Sequence, residues 1–249
     1  MYSDSHVHLY DVFNESAFAP TLVPGSVLCA SAHAEAEFVW QESYGRMWPN
    51  QVKLSFGIHP QDPCVAHAPL LINLVEGGRL SGIGECGFDL YTPAYRARLD
   101  EQKACWDMQL DIAERSGLPL VVHCRKALDL VFKDTRRLKR LKAVVFHGWP
   151  GSAREAESFL ERGVNAFFSC GKGLLRGDRS LQATVRDLPV NRLLTETDAP
   201  WMTLKGESIS IPADIRAVTA SAAELKGMER DGFASTVYDT FTAVFGAFS

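Results

Sequence analysis

The sequence lacks the features that mark several large classes of protein. It contains no run of about 18 apolar residues, which a membrane-spanning helix would require. Its six cysteines form no C-x-x-C pair, so neither a disulfide framework nor a structural zinc knuckle is indicated. There is no G-x-S-x-G pattern of a nucleophilic serine and no phosphate-binding loop ending in Gly-Lys-Ser/Thr.

An excess of basic charge is also missing. The 26 Lys and Arg residues face 30 Asp and Glu residues, and the net charge of −4 argues against wholesale electrostatic binding of duplex nucleic acid. A polar segment with histidines begins at Tyr2, which leaves no room for a secretory signal. We therefore expect a cytoplasmic protein without a membrane anchor and without an evident obligate protein partner.

The chain does contain short apolar runs at regular intervals. The predicted strands are Tyr2–Leu9, Ser26–Ala30, Val52–Ile58, Gly82–Cys86, Leu120–His123, Ala143–His147, Val164–Ser169 and Arg192–Glu196. Helical spacing follows between them, clearest from Pro93 to Ser116, where Gly117 and Pro119 then end the helix. This alternation predicts an α/β fold with a parallel sheet.

The predicted units are spaced evenly, and no linker rich in Pro, Ser or Gly divides them. Eight such units in 249 residues are most economically closed as a (β/α)8 TIM barrel, a single domain over residues 1–249. An open, doubly wound sheet is the alternative. In a barrel, function lies on the loops at the carboxyl ends of the strands.

Most of the histidines fall at those ends. They are His6, His8, His59, His123 and His147. In a strand, residues i and i+2 share a face, so His6 and His8 project together and can chelate one cation. An H-x-H pair alone is more often two surface or hydrogen-bonded histidines than a metal site. His33 and His67 lie off the predicted strand ends, and we assign them no role.

Acidic residues repeat this spacing. On the last predicted strand, Glu196 and Asp198 share a face, and two carboxylates directed into an apolar barrel repel unless a cation compensates them. Glu85 is a third acid at a strand end. The alternative is that these acids cap helices or pair with Lys and Arg. Together the histidines and acids supply enough ligands for two divalent ions, and a donor set without thiolate suits Zn²⁺, Mn²⁺ or Mg²⁺.

Several blocks of sequence carry a family resemblance. They are Asp4-Ser5-His6-Val7-His8, Gly57-Ile58-His59-Pro60, Gly82-Ile83-Gly84-Glu85-Cys86-Gly87-Phe88-Asp89, Leu118-Pro119-Leu120-Val121-Val122-His123-Cys124-Arg125, Phe146-His147-Gly148 with Gly151, and Thr195-Glu196-Thr197-Asp198-Ala199-Pro200. In this order and spacing they resemble the TatD-type metal-dependent nucleases of the amidohydrolase-like barrel superfamily. The resemblance implies a TIM barrel whose two metal ions activate water to hydrolyse phosphodiesters, typically of DNA.

The resemblance also implies roles for individual residues. The implied metal ligands are His6, His8, Glu85, His123, His147 and Asp198, with Glu85 as the bridging ligand. His59 and Glu196 resemble supporting catalytic residues. Asp198 is placed to accept the proton of the attacking water, and His59 to hydrogen-bond a phosphate oxygen. The implied activity is a DNase, 3′–5′ exonuclease-like, acting on single strands or ends of DNA.

Candidate substrate contacts follow the same blocks. Arg125 can present two N–H donors to phosphate, although a salt bridge to Asp129 is equally consistent with the sequence. After Asp198 the family's Arg- and Asn-bearing stretch is missing, and Lys205 can supply only a point charge there. Lys172 is a further candidate for phosphate.

Four aromatic residues lie on loops at the predicted active face. They are Phe88, Tyr91, Trp149 and Trp201. Such rings can stack on unpaired bases or pack the loops over the barrel. Of these four residues, we assign Trp149 and Trp201 to substrate binding.

Two other functions use the same residues. The centre could hydrolyse a small amide or ester, although the fourth strand carries Glu85 and no lysine that could be carbamylated. A non-catalytic, metal-stabilised scaffold is the other alternative. The G-x-G-x-x-G match at Gly82 is not followed directly by a helix, so a dinucleotide site is improbable. The basic run from Lys133 to Lys142 is expected at the opposite end of the barrel.

Overall fold

The structure is a computed structural model, and it describes residues 1–16 and 21–248. Eight parallel strands follow one another around the sheet in chain order. They are β1 Tyr2–Val7, β2 Ser26–Ala32, β3 Val52–Phe56, β4 Gly82–Asp89, β5 Leu120–Arg125, β6 Val144–Phe146, β7 Ala166–Cys170 and β8 Leu193–Thr195. A doubly wound sheet reverses its strand order, so the sequential order excludes that alternative.

Helices connect successive strands on the outside of the sheet. They are α1 Leu9–Ser16, α2 Glu35–Met47, α3 Ala68–Glu76, α4 Pro93–Ala97, α5 Leu99–Ser116, α6 Leu128–Lys133, α7 Thr135–Leu138, α8 Ala153–Glu161, α9 Arg179–Asp187, α10 Ile215–Lys226 and α11 Arg230–Phe245, with short 3₁₀ turns at Val65–His67, Val190–Arg192 and Pro212–Asp214. None of the helices in the described ranges is long and apolar enough to span a membrane.

Hydrogen bonds between the first and last strands nearly close the barrel. The hydroxyl of Thr195 donates to the Ser3 carbonyl at 2.7 Å. Two residues after Thr195, the backbone N–H and the hydroxyl of Thr197 donate to the buried carboxylate of Asp4 at 3.0 Å and 2.6 Å. The predicted α/β (β/α)8 fold is therefore confirmed.

The core leaves one end of the barrel open. Helix α11 packs Phe241 and Phe245 against inward-facing Val121 and Val145, which closes the amino-terminal end of the strands. A second, larger cluster of buried residues lies between the strands and the outer helices. The buried histidines and Glu85 lie at the carboxyl ends of the strands, where the loops meet.

Some predicted boundaries differ from the observed ones. The helix predicted from Pro93 to Ser116 is two helices that meet at Arg98, whose N–H bonds to the Tyr95 carbonyl and not to one four residues back. It ends at Gly117 with a φ of 66°, as its glycine predicted. In the run from residue 133 to 142, Arg137 and Arg140 pair with acids on α5.

The last strand is also shorter than predicted. It ends at Thr195, and the chain then turns through Asp198, whose φ of 51° lies in the left-handed region. Glu196 and Asp198 therefore do not share the face of a strand, and their side chains reach different surroundings.

Candidate metal centre

Glu85 lies at the middle of the open end, on β4. Its side chain is 3% exposed. Its Oε1 lies 3.3 Å from His6 Nε2 and 3.2 Å from His8 Nε2. Its Oε2 lies 3.1 Å from His123 Nδ1 and 2.8 Å from His147 Nε2. Each carboxylate oxygen thus faces its own pair of histidines.

Asp198 completes the first of these groups. Its Oδ1 lies 3.7 Å from His6 Nε2 and 3.6 Å from His8 Nε2, and the two histidine nitrogens are 3.2 Å apart. A tetrahedral ion with bonds of about 2.0–2.1 Å holds its donors about 3.3–3.4 Å apart. The spacing and the N/O chemistry of this donor set therefore fit divalent cations. Glu85 also belongs to two other groups of closely spaced ligand atoms, one with His6 and His147 and one with His59 and His123.

Glycines in β4 let this strand carry Glu85 so close to its neighbour. Gly84 has a φ of 138°, and a Cβ there would lie 2.3 Å from the Val121 carbonyl oxygen. Gly87 has a φ of 132°, and its Cβ would lie 2.2 Å from the His123 carbonyl oxygen. Only glycine accepts this backbone and this approach, so the motif around Glu85 is a requirement of β4–β5 packing.

Three carboxylates stand behind the histidines. Asp89 Oδ2 lies 3.3 Å from His123 Nε2, Glu196 Oε1 lies 3.6 Å from His147 Nδ1, and Asp11 Oδ2 lies 3.9 Å from His8 Nδ1. Glu196 is fully buried, accepts the Gly148 N–H at 2.6 Å and does not line the cavity. The supporting role expected for Glu196 therefore stays a prediction, and its contact with His147 is the one through which this carboxylate would act.

The carboxylates and imidazoles in this cluster shift each other's pKa values toward their charged forms at Glu85, His8 and His147. Burial raises the pKa of Glu85, but the surrounding imidazoles of His6, His147 and His59 outweigh burial and hold that pKa well below its usual range. Burial lowers the pKa of His8, and its hydrogen bonds and charge contacts with Asp198 and Glu85 raise it to about 10. The pKa of His147 is raised well above its usual value by Glu85 and Glu196, against burial. The carboxylates are therefore anionic and available as ligands.

His59 differs from the other histidines of the cluster. Its Nδ1 accepts the Gln61 backbone N–H at 3.2 Å, so a neutral ring carries its proton on Nε2. Burial lowers the pKa of His59 to about 4, which keeps the ring neutral. Its Nε2 lies 3.5 Å from Glu85 Oε2. His59 is thus placed as a hydrogen-bond donor at the edge of the metal-binding residues.

A cavity of about 630 Å³ opens above these residues. Its rim is formed by Asp11, His33, Asp62, Tyr95, Arg125 and Trp201. Trp201 is 58% exposed, as a base-stacking residue requires. The guanidinium of Arg125 lies 3.7 Å from the centre of the Tyr91 ring. Within the described residues Arg125 has no ion pair with Asp129, which instead faces Lys133 at 3.7 Å.

Three predicted substrate contacts lie elsewhere. Trp149 is 4% exposed and packs against Phe146 and Phe168, with ring centres 5.2 Å and 4.7 Å away, so it cannot stack on a base. Lys205 is exposed on the loop after β8 and does not line the cavity. Lys172 is buried, and its Nζ donates to Asp214 at 2.8 Å and to Glu207. Lys172 thus anchors the loop that carries Trp201.

His33 is a residue of the cavity to which the sequence pattern assigned no role. It lines the cavity, and its ring centre lies 5.5 Å from that of His59. Its backbone N–H donates to Glu37 at 2.9 Å, which holds the residue at the end of β2. The predicted strand stopped at Ala30, whereas β2 runs to Ala32. The correct strand end would have placed His33 beside the other histidines.

Comparisons with known proteins find relatives that match most of this chain. The family model described as TatD related DNase matches residues 3–246. An uncharacterized metal-dependent hydrolase of Mycoplasma genitalium is 29% identical over 74% of this chain and 74% of its own length. A protein of Erwinia amylovora named 3′-5′ ssDNA/RNA exonuclease TatD is 30% identical over 70% of this chain and 65% of its own length.

Solved structures share the fold. YJJV, a TatD homologue from Escherichia coli, superposes with a TM-score of 0.83 at 23% identity, over 99% of this chain and 98% of that one. A hydrolase of the TatD family from Entamoeba histolytica superposes with a TM-score of 0.78 at 16% identity, over 99% and 98% of the two chains.

Proposed function

The chain belongs to the TatD-related DNase family, and from that membership we propose that it is a metal-dependent phosphodiesterase that removes nucleotides from the 3′ end of single-stranded DNA. The observation that carries the proposal is Glu85, whose two oxygens each face a separate group of ligand atoms at the open end of the barrel. The name of the Erwinia amylovora relative supports the substrate class and the polarity.

Two groups of residues would hold the cations. His6, His8 and Asp198 form one group with Glu85 Oε1. His123 and His147 form the other with Glu85 Oε2. When bound, divalent cations supply Lewis-acid polarisation of the phosphoryl group and lower the pKa of water toward neutrality. Zn²⁺, Mn²⁺ and Mg²⁺ all suit an N/O donor set that lacks thiolate.

The protein's own side chains account for proton transfer and orientation. Asp198 is anionic, because its hydrogen bond with His8 and the charges of nearby histidines lower its pKa despite burial, and it lines the cavity. In the proposed mechanism it accepts the proton of the attacking water. The Nε2–H of His59 donates to a non-bridging phosphate oxygen, which stabilises charge as it grows in the transition state.

Substrate contacts lie around the rim. Arg125 is exposed and supplies two parallel N–H donors for a phosphate next to the scissile one. Tyr91 lies under its guanidinium and holds that plane in position. Trp201 offers an exposed ring face for an unpaired base. Because these contacts surround one cavity and form no basic stripe, they favour a strand end over the side of a duplex.

The test uses oligonucleotides labelled at either end, as single strands and as duplexes, and includes the corresponding RNA. Protein stripped by chelator should be inactive, and restored Mg²⁺, Mn²⁺ or Zn²⁺ should return stepwise loss of 3′ nucleotides from single strands. The matched control is the His6→Ala/His8→Ala double variant, which should neither bind metal fully nor cleave. Bound metal without nucleotide release under every condition would overturn the proposal in favour of another hydrolysed bond.

A further inference from the structure

Asp89 is a buried carboxylate that acts only as a hydrogen-bond acceptor. It ends β4 and is fully buried. Its Oδ1 accepts the Tyr91 backbone N–H at 2.8 Å, and its Oδ2 accepts the Gln61 side-chain amide at 2.8 Å. The same Oδ2 lies 3.3 Å from His123 Nε2. Since both oxygens already accept N–H donors, the carboxylate is in its ionised form and His123 Nε2 must be the donor.

This hydrogen bond fixes the tautomer of His123. A neutral imidazole has one N–H and one lone pair. With the proton on Nε2, the lone pair is on Nδ1, which lies 3.1 Å from Glu85 Oε2 and 3.3 Å from His147 Nε2. His123 therefore presents Nδ1 to the metal-binding group, whereas His6 and His8 present Nε2 to theirs.

Gln61 gives His59 the same tautomer, but the protonated nitrogen of His59 is the one that faces Glu85. The backbone N–H of Gln61 donates to His59 Nδ1 at 3.2 Å, while its side-chain amide donates to Asp89. His59 must then carry its proton on Nε2, the atom that faces Glu85. Gln61 thus contacts both His59, which keeps a proton on the nitrogen that faces Glu85, and Asp89, which orients His123.

We propose that Asp89 and Gln61 are positioning residues that assign different roles to two neighbouring histidines: Asp89 makes His123 a metal ligand through Nδ1, and Gln61 makes His59 a hydrogen-bond donor. The inference rests on the proposed metal-dependent function. It separates His123 from His59, although both lie within reach of Glu85 and their ring centres are only 4.7 Å apart.

His123 depends on its outer partner more than the other ligands do. Within the described residues, His8 Nδ1 and His147 Nδ1 have no hydrogen-bond partner, and their nearest carboxylate oxygens lie 3.9 Å and 3.6 Å away. Among these ligand histidines, and counting the residues that the structure describes, His123 alone has a carboxylate within 3.5 Å of its outer nitrogen. Changing Asp89 should therefore weaken one metal group and spare the other.

The first experiment needs no metal. Long-range ¹⁵N–¹H correlation spectra of the chelator-treated wild-type protein report the tautomer of each imidazole, with His123 and His59 assigned by their Gln variants. Both rings should carry the proton on Nε2 when neutral. A proton on Nδ1 of either ring would overturn the assignment, whatever the activity of the enzyme.

The second experiment is calorimetric titration of Mn²⁺ or Zn²⁺. In Asp89→Asn an amide N–H₂ replaces one carboxylate oxygen. This new donor must face either the Tyr91 N–H or the Gln61 and His123 N–H groups, so at least one hydrogen bond is lost. One of the two binding events should weaken by about 10–100-fold while the other stays within about twofold. Gln61→Leu keeps the backbone N–H to His59 and should weaken the same event by a smaller factor.

Asp62→Asn is the matched control, because it removes the same charge from the cavity wall at an exposed side chain whose partner is Arg98 and not a histidine. If Asp62→Asn and Asp89→Asn weaken metal binding equally, the loss of one negative charge explains the whole effect, and the proposal is overturned. If Asp89→Asn does not fold, Gln61→Leu and the wild-type spectra decide the question. Wild-type protein that binds no metal would refute the proposed function instead.

Discussion

Trp201 should contribute to DNA binding without contributing to stability. Its ring is 58% exposed at the rim of the cavity, and its backbone N–H is held by the Asp198 carbonyl at 2.8 Å. Stacking of one base on an aromatic ring is worth about 1–3 kcal/mol. Since Trp201 is only partly exposed, not all of its ring is free to stack, and we expect the lower half of that range for Trp201→Ala. A loss of about 1–2 kcal/mol corresponds to a roughly 5–30-fold rise in Kd.

Trp149 should behave in the opposite way. It is 4% exposed among Phe146, Phe159 and Phe168. Truncating such a residue costs about 3–5 kcal/mol, and at roughly 2–4 °C per kcal/mol for a chain of this size Trp149→Ala should lower Tm by about 6–20 °C. The indole N–H has no hydrogen-bond partner within the described ranges. Trp149→Phe should therefore cost less than about 1.5 kcal/mol.

The assay pairs two measurements on each variant. Fluorescence anisotropy with a phosphorothioate-linked single strand, which resists cleavage, gives Kd, and calorimetric unfolding gives Tm. Trp149→Phe serves as the matched control for Trp201→Ala, since both remove an indole from a loop at the same end of the barrel. Unchanged Kd in Trp201→Ala, or an equal loss of DNA binding in Trp149→Phe, would refute the assignment of the two rings.

Three further predictions concern the centre and its loop. Glu85→Gln replaces a shared ligand oxygen with an amide, so bound metal measured by elemental analysis should fall and kcat should drop by at least about a hundredfold; full metal content would contradict the shared-ligand geometry. Because Asp198 and Glu85 outweigh burial and raise the pKa of His8 to about 10, the metal-free ring is protonated near neutral pH and metal binding must release protons. Affinity should rise with pH, and calorimetry in buffers of different ionisation heat should detect the release; identical heats would count against it. Lys172→Met leaves Asp214 without its buried partner, so limited proteolysis should cut residues 201–214 faster and KM should rise more than kcat falls; an unchanged cleavage rate would show that the loop is held by other contacts.

The alternation of local patterns made the fold predictable. Each strand reads as a short apolar run because both of its faces are buried, and each helix reads by its spacing and its terminal glycine. Closure and strand direction then place every carboxyl end at one rim. For this reason the sequence alone groups His6, His8, Glu85 and His123 at one end of the barrel. The resemblance to the TatD family is confirmed.

Side-chain direction beyond the ends of strands could not be predicted in this way. Alternation assigns a face only while the chain stays extended, and the turn after Thr195 breaks it at Asp198. Glu196 consequently lies behind His147 and not beside the cavity. On loops, the same residue type can occupy either environment, as Trp149 and Trp201 do, because the choice depends on which tertiary surface the loop covers.

The acidic charge of the chain bears on which part of DNA it can attract. Three buried carboxylates, Glu85, Asp89 and Glu196, face the histidines at the carboxyl ends of the strands. Their charge is directed at these histidines, so in the proposed function it would attract cations bound there more strongly than it would repel a strand at the surface. A duplex lying on the surface would meet a protein of net charge −4, whereas in the proposed function a strand end that enters the cavity would meet the cations and Arg125. Attraction confined to one cavity would therefore select ends, and this restriction is the reason that we propose exonuclease action for a chain of net negative charge.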